Sequence, residues 1–98
     1  MFKRSDVEKE LMAAGLKPRY EGFRYITDLF MLFSQNTKIP LSDCMPVICN
    51  EYGLNSKSVH STIYYCFKCS GVDLTMKEIL FDVYYNLKEK YENESNRR

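Results

Sequence analysis

The stretch Lys57 to Lys68 sets two chemistries on opposite sides of one helical repeat. Val59, Ile63, Cys66 and Phe67 share the apolar side; Lys57, His60, Ser61, Tyr64 and Lys68 share the polar side, with Tyr65 near the boundary. The polar side offers ammonium groups, hydroxyls and an imidazole, and no carboxylate. Those groups suit a polyanion: lysines meet phosphates, and serine and tyrosine hydroxyls bond phosphates or base edges. His60 adds ring nitrogens for a base edge or a phosphate, the more strongly when protonated. Lys57, His60, Ser61 and Tyr64 are the base-facing set, and Ser56 and Lys68 belong with the phosphate-facing groups.

Metal and catalytic chemistry fit the sequence less well. Cys44, Cys49, Cys66 and Cys69 are separated by five, seventeen and three positions. Only Cys66-Phe67-Lys68-Cys69 has the form of a metal or redox pair. Cys44 and Cys49 stand one residue too far apart for a tight zinc knuckle, and the single histidine, His60, lies in the same helical run as Cys66. A thioredoxin-like site also requires a preceding β-strand, which the pattern lacks. Free buried thiols in a reducing cytoplasm are the expectation, with no metal and no cofactor. Asp28, Asp43 and Glu51 are spread one to a helix and read as surface decoration. With no glycine-rich phosphate cradle and no nucleophile elbow, the chain reads as noncatalytic.

The elements that must position the polar face follow from periodicity and punctuation. Val7, Leu11 and Ala14 recur at helical spacing, with Ser5 or Asp6 as cap and Gly15 as terminator, which predicts a helix over about 5–14. Lys17-Pro18 then forces an extended connection. Phe23, Ile26, Phe30 and Phe33, widened by Leu29 and Leu32, make the strongest apolar stripe and predict a central helix from about Tyr20 or Gly22 to Phe33. A third helix lies between about Leu41 and Tyr52. Pro46 either opens the helix proper after a short turn or sits inside a kinked one. Gly53 ends it, Asn55 or Ser56 caps a fourth helix running from Lys57 to about Cys69, and Gly71 closes that one. Asp73 or Thr75 caps the last, Thr75 and Glu78 having capping-box spacing. Ile79, Leu80, Val83 and Leu87 line its inner side to about Tyr91, and a polar, fraying tail follows from Glu92.

The segment Pro46 to Phe67 thus has helix-turn-helix organisation. Ile48 and the small Cys49 face inward where the helices cross, Gly53 and Leu54 form a tight turn, and Val59 and Ile63 anchor the second helix. A short turn lets that helix stand out and present its N-terminal half to a major groove. Residues 7–69 resemble the C-terminal DNA-binding effector domain of the stage-zero sporulation master response regulators of endospore-forming bacteria. The matching landmarks are Ala14-Gly15-Leu16-Lys17-Pro18, Gly22-Phe23-Arg24-Tyr25-Ile26, Met45 to Tyr52 and Asn55 to Ile63. A weaker match joins Thr75 to Leu87 to that family's last helix. The resemblance implies sequence-specific double-stranded DNA binding and transcription regulation, with Arg24 and Lys38, and less directly Arg19, as further phosphate contacts. Two departures accompany it. Gly71-Val72-Asp73-Leu74 spans a region where the family has a longer loop and an extra helix, so five helices are expected in place of six. The family's base-reading arginines are matched here by Ser61 and Tyr64, and His60 stands for an acidic residue.

Composition bounds the remaining readings. The 98 residues are 45% hydrophobic and 28% charged, the profile of one folded domain. A net charge of +1 neither implies nor excludes nucleic acid, so any such partner must be met by a local surface. No run approaches a membrane span and the N-terminus lacks a signal-peptide pattern, which predicts a cytoplasmic protein with no membrane partner. Only six residues precede the first matching helix. In a complete chain, control comes through expression, oligomerisation or a partner; in a fragment, the receiver switch lies upstream. The expected architecture is all-α, a compact five-helix domain over residues 1–94 with a flexible tail at 95–98. Phe81, Tyr84 and Tyr85 form the expected homodimer surface, because two linked copies recover the affinity a module with few phosphate contacts lacks. The alternative is a noncatalytic protein-interaction module that keeps the fold and uses Tyr64, Tyr65 and the last helix to hold a regulator or an RNA polymerase component.

Overall fold

Five helices, α1 (Arg4–Ala13), α2 (Glu21–Gln35), α3 (Leu41–Tyr52), α4 (Ser56–Ser70) and α5 (Met76–Asn96), make up a computed structural model that describes residues 2–35 and 40–96. The all-α, five-helix architecture is the one the periodicity predicts, and the described residues include no strand. α2 is the hub and touches each of the other four helices; α1 also packs on α5, and α3 on α4. Ile26, Leu29 and Phe30 of α2 are wholly buried, as the breadth of its apolar stripe requires. Around them lie Val7 and Leu11 from α1, Ile48 from α3, Val59, Ile63 and Cys66 from α4, and Ile79, Leu80, Val83 and Leu87 from α5.

Several helix ends follow local chemistry. Asn55 Oδ1 accepts the Ser58 amide at 2.8 Å and starts α4. Gly53 and Gly71 adopt φ of 66° and 72°, the left-handed closure of α3 and α4 that other residues reach only with strain. The capping box before α5 is reciprocal: the Glu78 amide donates to Thr75 Oγ1 at 3.1 Å, and the Thr75 amide donates to Glu78 Oε1 at 3.0 Å. The Thr75 amide first, and then the Thr75 side chain, hold the Glu78 carboxyl below its usual range by bonding to its charged form.

Two boundaries depart from expectation, and at Pro46 the structure decides between two open alternatives. α1 begins at Arg4 behind Lys3, which makes no side-chain cap, because Asp6 is used elsewhere: its Oδ2 accepts the Tyr91 hydroxyl at 2.6 Å. α3 is a single helix with Pro46 inside it. The bond Pro46 cannot make would go to the Ser42 carbonyl, and both residues lie on the exposed side of the helix, where the lost bond costs least. α5 continues through Asn96, past the expected end at Tyr91 and into the expected 95–98 tail, whose last two residues lie outside the described ones. Glu92, Asn93 and Glu94 carry no breaker, and each added turn supplies its own backbone bonds.

Polar ties hold the helices in register. Asp28 joins three of them: Arg4 Nη1 of α1 donates to its Oδ1 at 2.6 Å, and the Tyr52 hydroxyl of α3 donates to its Oδ2. Burial first, then the bond to Asp28, pushes the Tyr52 phenol up to about 12. Asp28 is therefore a tertiary clamp and not the surface decoration its isolated position suggests. A second clasp joins α1 to α5 through Glu10 with Lys90 and through Tyr91, whose hydroxyl also accepts the Lys3 amide at 3.0 Å. Among the described residues, no helix is long and apolar enough to cross a membrane.

Candidate nucleic-acid interface

α3 and α4 are joined by the turn Gly53–Asn55, and the Leu54 amide donates back to the Cys49 carbonyl at 3.0 Å. The turn is tight because glycine supplies the left-handed residue and asparagine at once caps the next helix. α4 is seated mainly on α2. At the crossing, an added Cβ on Gly22 would lie 2.5 Å from the Thr62 carbonyl oxygen, 2.7 Å from Cys66 Cβ and 2.9 Å from Ile63 Cα. Glycine lets the two backbones meet there. Sequence reasoning gave a close crossing to Cys49 between α3 and α4, where that residue is half-buried, and none to Gly22 between α2 and α4; the signal that marks Gly22 is a glycine inside a strong apolar helix pattern.

With its inner face against α2, α4 presents the opposite face to solvent. Lys57, Ser61, Tyr64 and Lys68 are exposed on it, beside Ser56 and Tyr65. Tyr64 and Tyr65 are 53% and 60% exposed, a large aromatic contribution on one helix. Tyr65 packs edge-on to Tyr20 with ring centroids 5.8 Å apart, and Arg19 lies over the Tyr20 ring at 5.1 Å. The connection before α2 is thereby tied to the outer side of α4, as it is by the Lys17 amide donating to Ser70 Oγ at 3.1 Å.

His60 does not stand free with that set. It is half-buried and lines an apolar recess with Leu29, Met45 and Met76, because its position falls toward the edge of the face that packs on α2. Its ring stacks on Tyr64, centroids 6.3 Å apart, so the imidazole borders the polar face rather than projecting from its centre.

The phosphate-facing set is less unified than the sequence suggests. Arg24 is exposed and lines a groove with Arg4, Arg19 and Glu8 between α1 and the start of α2. It follows Gly22 by two positions and so lies roughly 200° around α2 from the contact with α4. Lys38 lies outside the described residues.

Two of the three residues of the expected dimer surface, Phe81 and Tyr84, are half-buried in the fold. Phe81 packs edge-on to Phe33 at 5.3 Å, and Tyr84 meets Phe33 at 6.0 Å and Phe2 at 5.8 Å. α5 packs on both α1 and α2, so its buried arc is wider than a single stripe, and Phe2 fills the space beside it. Tyr85 alone of the three projects, at 62% exposure.

The four cysteines are free thiols, Cys44 and Cys66 buried, Cys49 and Cys69 half-buried. Burial is the first reason that the thiols of Cys44 and Cys66 are pushed up, which keeps them as unreactive core atoms. Comparison with protein-family models, with curated proteins and with solved structures gave no match.

Proposed function

We propose that α3 and α4 act as a helix-turn-helix and that the protein is a noncatalytic, sequence-specific binder of double-stranded DNA that regulates transcription. The observation that carries this reading is a tightly turned, asparagine-capped helix whose outer face combines Lys57, Ser61, Tyr64 and Lys68. In the proposed complex the N-terminal half of α4 enters the major groove, with Ser61 and Tyr64 toward base edges, Ser56 and Lys68 toward the backbone, and Lys57, first of the base-facing set, turning to the backbone from the first turn of the helix. His60 contributes from the margin. The resemblance to sporulation effector domains supports the same reading, and the serine and tyrosine at the family's arginine positions point to a different operator. Arginine bidentate to guanine is the commonest specific contact, and neither side chain reproduces it.

Selection from a randomised duplex library at two salt concentrations tests the proposal. A defined motif is expected, relaxed by Tyr64→Ala. Lys57→Ala weakens all sites about equally and lowers the slope of log affinity against log salt by about 0.9. Absence of enrichment, with no binding at low salt, defeats the reading.

The second reading is a protein-interaction surface, and a particular feature favours it: Val47 of α3 and Leu54 of the turn are exposed along with Tyr64 and Tyr65. Exposed aromatic and aliphatic side chains in one helix pair are the chemistry of a partner-binding patch. Under this reading Tyr64→Ala and Leu54→Ala abolish capture of a regulator or polymerase component, and Lys57→Ala does not.

A further inference from the structure

The recess beside His60 is assembled from four helices. Leu29 of α2 and Met45 of α3 are buried and form its floor; Leu41 of α3 and Met76 of α5 are half-buried walls; Ser42 and His60 stand at its rim. Its volume is about 200 Å³ and its interior is almost wholly apolar. An apolar cavity of about 150 Å³ inside a protein stays dry and takes up benzene, because water there has too few hydrogen-bond partners. The recess is therefore large enough for one six-membered ring with a single small substituent, and its lining offers water almost no hydrogen-bond partner. Its rim is reached from solvent without unfolding, since Ser42 is exposed and His60 partly so.

The walls select among apolar guests. Two methionines, Met45 and Met76, line the same space, and a thioether in contact with a ring favours an aromatic guest over an aliphatic one of equal size by roughly two- to tenfold. Ser42 and His60 are the polar residues of the lining, Ser42 exposed and His60 half-buried, so a polar substituent of a guest belongs at their end of the recess. A charged guest would lose its hydration inside with no compensating partner.

We propose that this recess is a binding site for a small, uncharged, single-ring aromatic molecule, the ring held between Met45 and Met76 and one polar substituent at the Ser42 and His60 rim. The site does not depend on what the outer face of α4 contacts. It is nevertheless built partly from α4 through His60, so an occupant touches the same helix from its inner side.

Phenol and cyclohexanol, alike in size and in carrying one hydroxyl, are the probes. Each is titrated into the full chain with methyl-labelled methionine, and the methionine methyl resonances are followed by NMR. Phenol is expected to give saturable shifts at Met45 and Met76, with Met12 and Met31 unmoved, and to bind at least twofold more tightly than cyclohexanol. Leu41→Trp fills the recess and Ser42→Phe covers its rim, and each is expected to weaken phenol binding at least tenfold. Ser42 is exposed, so the second variant keeps the fold should the first fail. Shifts that do not saturate, that spread equally over all methionines, or that persist in Ser42→Phe overturn the site. Equal affinity for the two probes overturns the assignment of an aromatic ligand.

Discussion

Replacing Gly22 with alanine adds one methyl group where α2 crosses α4. The new Cβ would lie 2.5 Å from the Thr62 carbonyl oxygen and 2.9 Å from Ile63 Cα, both backbone atoms, and 2.7 Å from Cys66 Cβ. Carbon atoms rest at about 3.5–4 Å, so the helices must separate by roughly 1 Å. No rotamer change relieves contacts with backbone. Overpacking of this kind costs about 1–3 kcal/mol. Against it, alanine is better in a helix interior than glycine by about 1 kcal/mol, and Gly22 stands in the first turn, where that preference counts for less. Displacement of α4 also loosens the core around Phe23, Ile26 and Ile63, all of them buried. The net expectation is a loss of about 1–3 kcal/mol. For a domain of this size each kcal/mol lowers Tm by about 4–8 °C. Urea unfolding followed by far-UV circular dichroism, with calorimetry for Tm, measures it. A variant as stable as the parent, with an unchanged dependence on urea, would refute the close approach and with it the placement of α4.

Three further outcomes are expected. Asn55→Ala removes the acceptor for the Ser58 amide and lowers stability by about 1 kcal/mol in urea unfolding; Asn55→Asp restores it. Tyr52, pushed up to about 12, ionises well above the ordinary tyrosine value near 10 in an ultraviolet pH titration. Because its folded value lies above the unfolded one near 10, its contribution is complete below about pH 10 and is lost as pH rises toward about 12. Tyr52→Phe removes one tyrosine from a late phase to which the raised Tyr25 and Tyr91 also contribute, and with it that part of the alkaline destabilisation. Phe81→Ala, which empties a half-buried contact with Phe33, lowers stability by about 1–3 kcal/mol without changing the sedimentation coefficient beyond that of a folded chain of this size. A change of oligomeric state without loss of stability would return Phe81 to the protein surface.

The helices themselves were legible in the residues. Their apolar spacing, the glycines after α3 and α4, the Asn55 cap and the Thr75 and Glu78 box act within a turn or two of the chain, so local pattern identifies them. The outward direction of Lys57, Ser61, Tyr64 and Lys68 was legible for the same reason, since it follows from which face of α4 is apolar. Positions at the margin of that face were not. His60 turns toward the recess because Leu29, Met45 and Met76 arrive there from other helices. Phe81 and Tyr84 are half-buried because Phe2 and Phe33 reach them, and no periodicity within α5 reports those neighbours. Asp28 became a clamp only when Arg4 and Tyr52 came to it from 24 residues away on either side. Gly22 gained its role from the backbone of α4. Local order is set by interactions between near neighbours along the chain, whereas coverage of a helix margin, the partners of a charge and the room for a methyl group belong to the packing of helices distant in sequence.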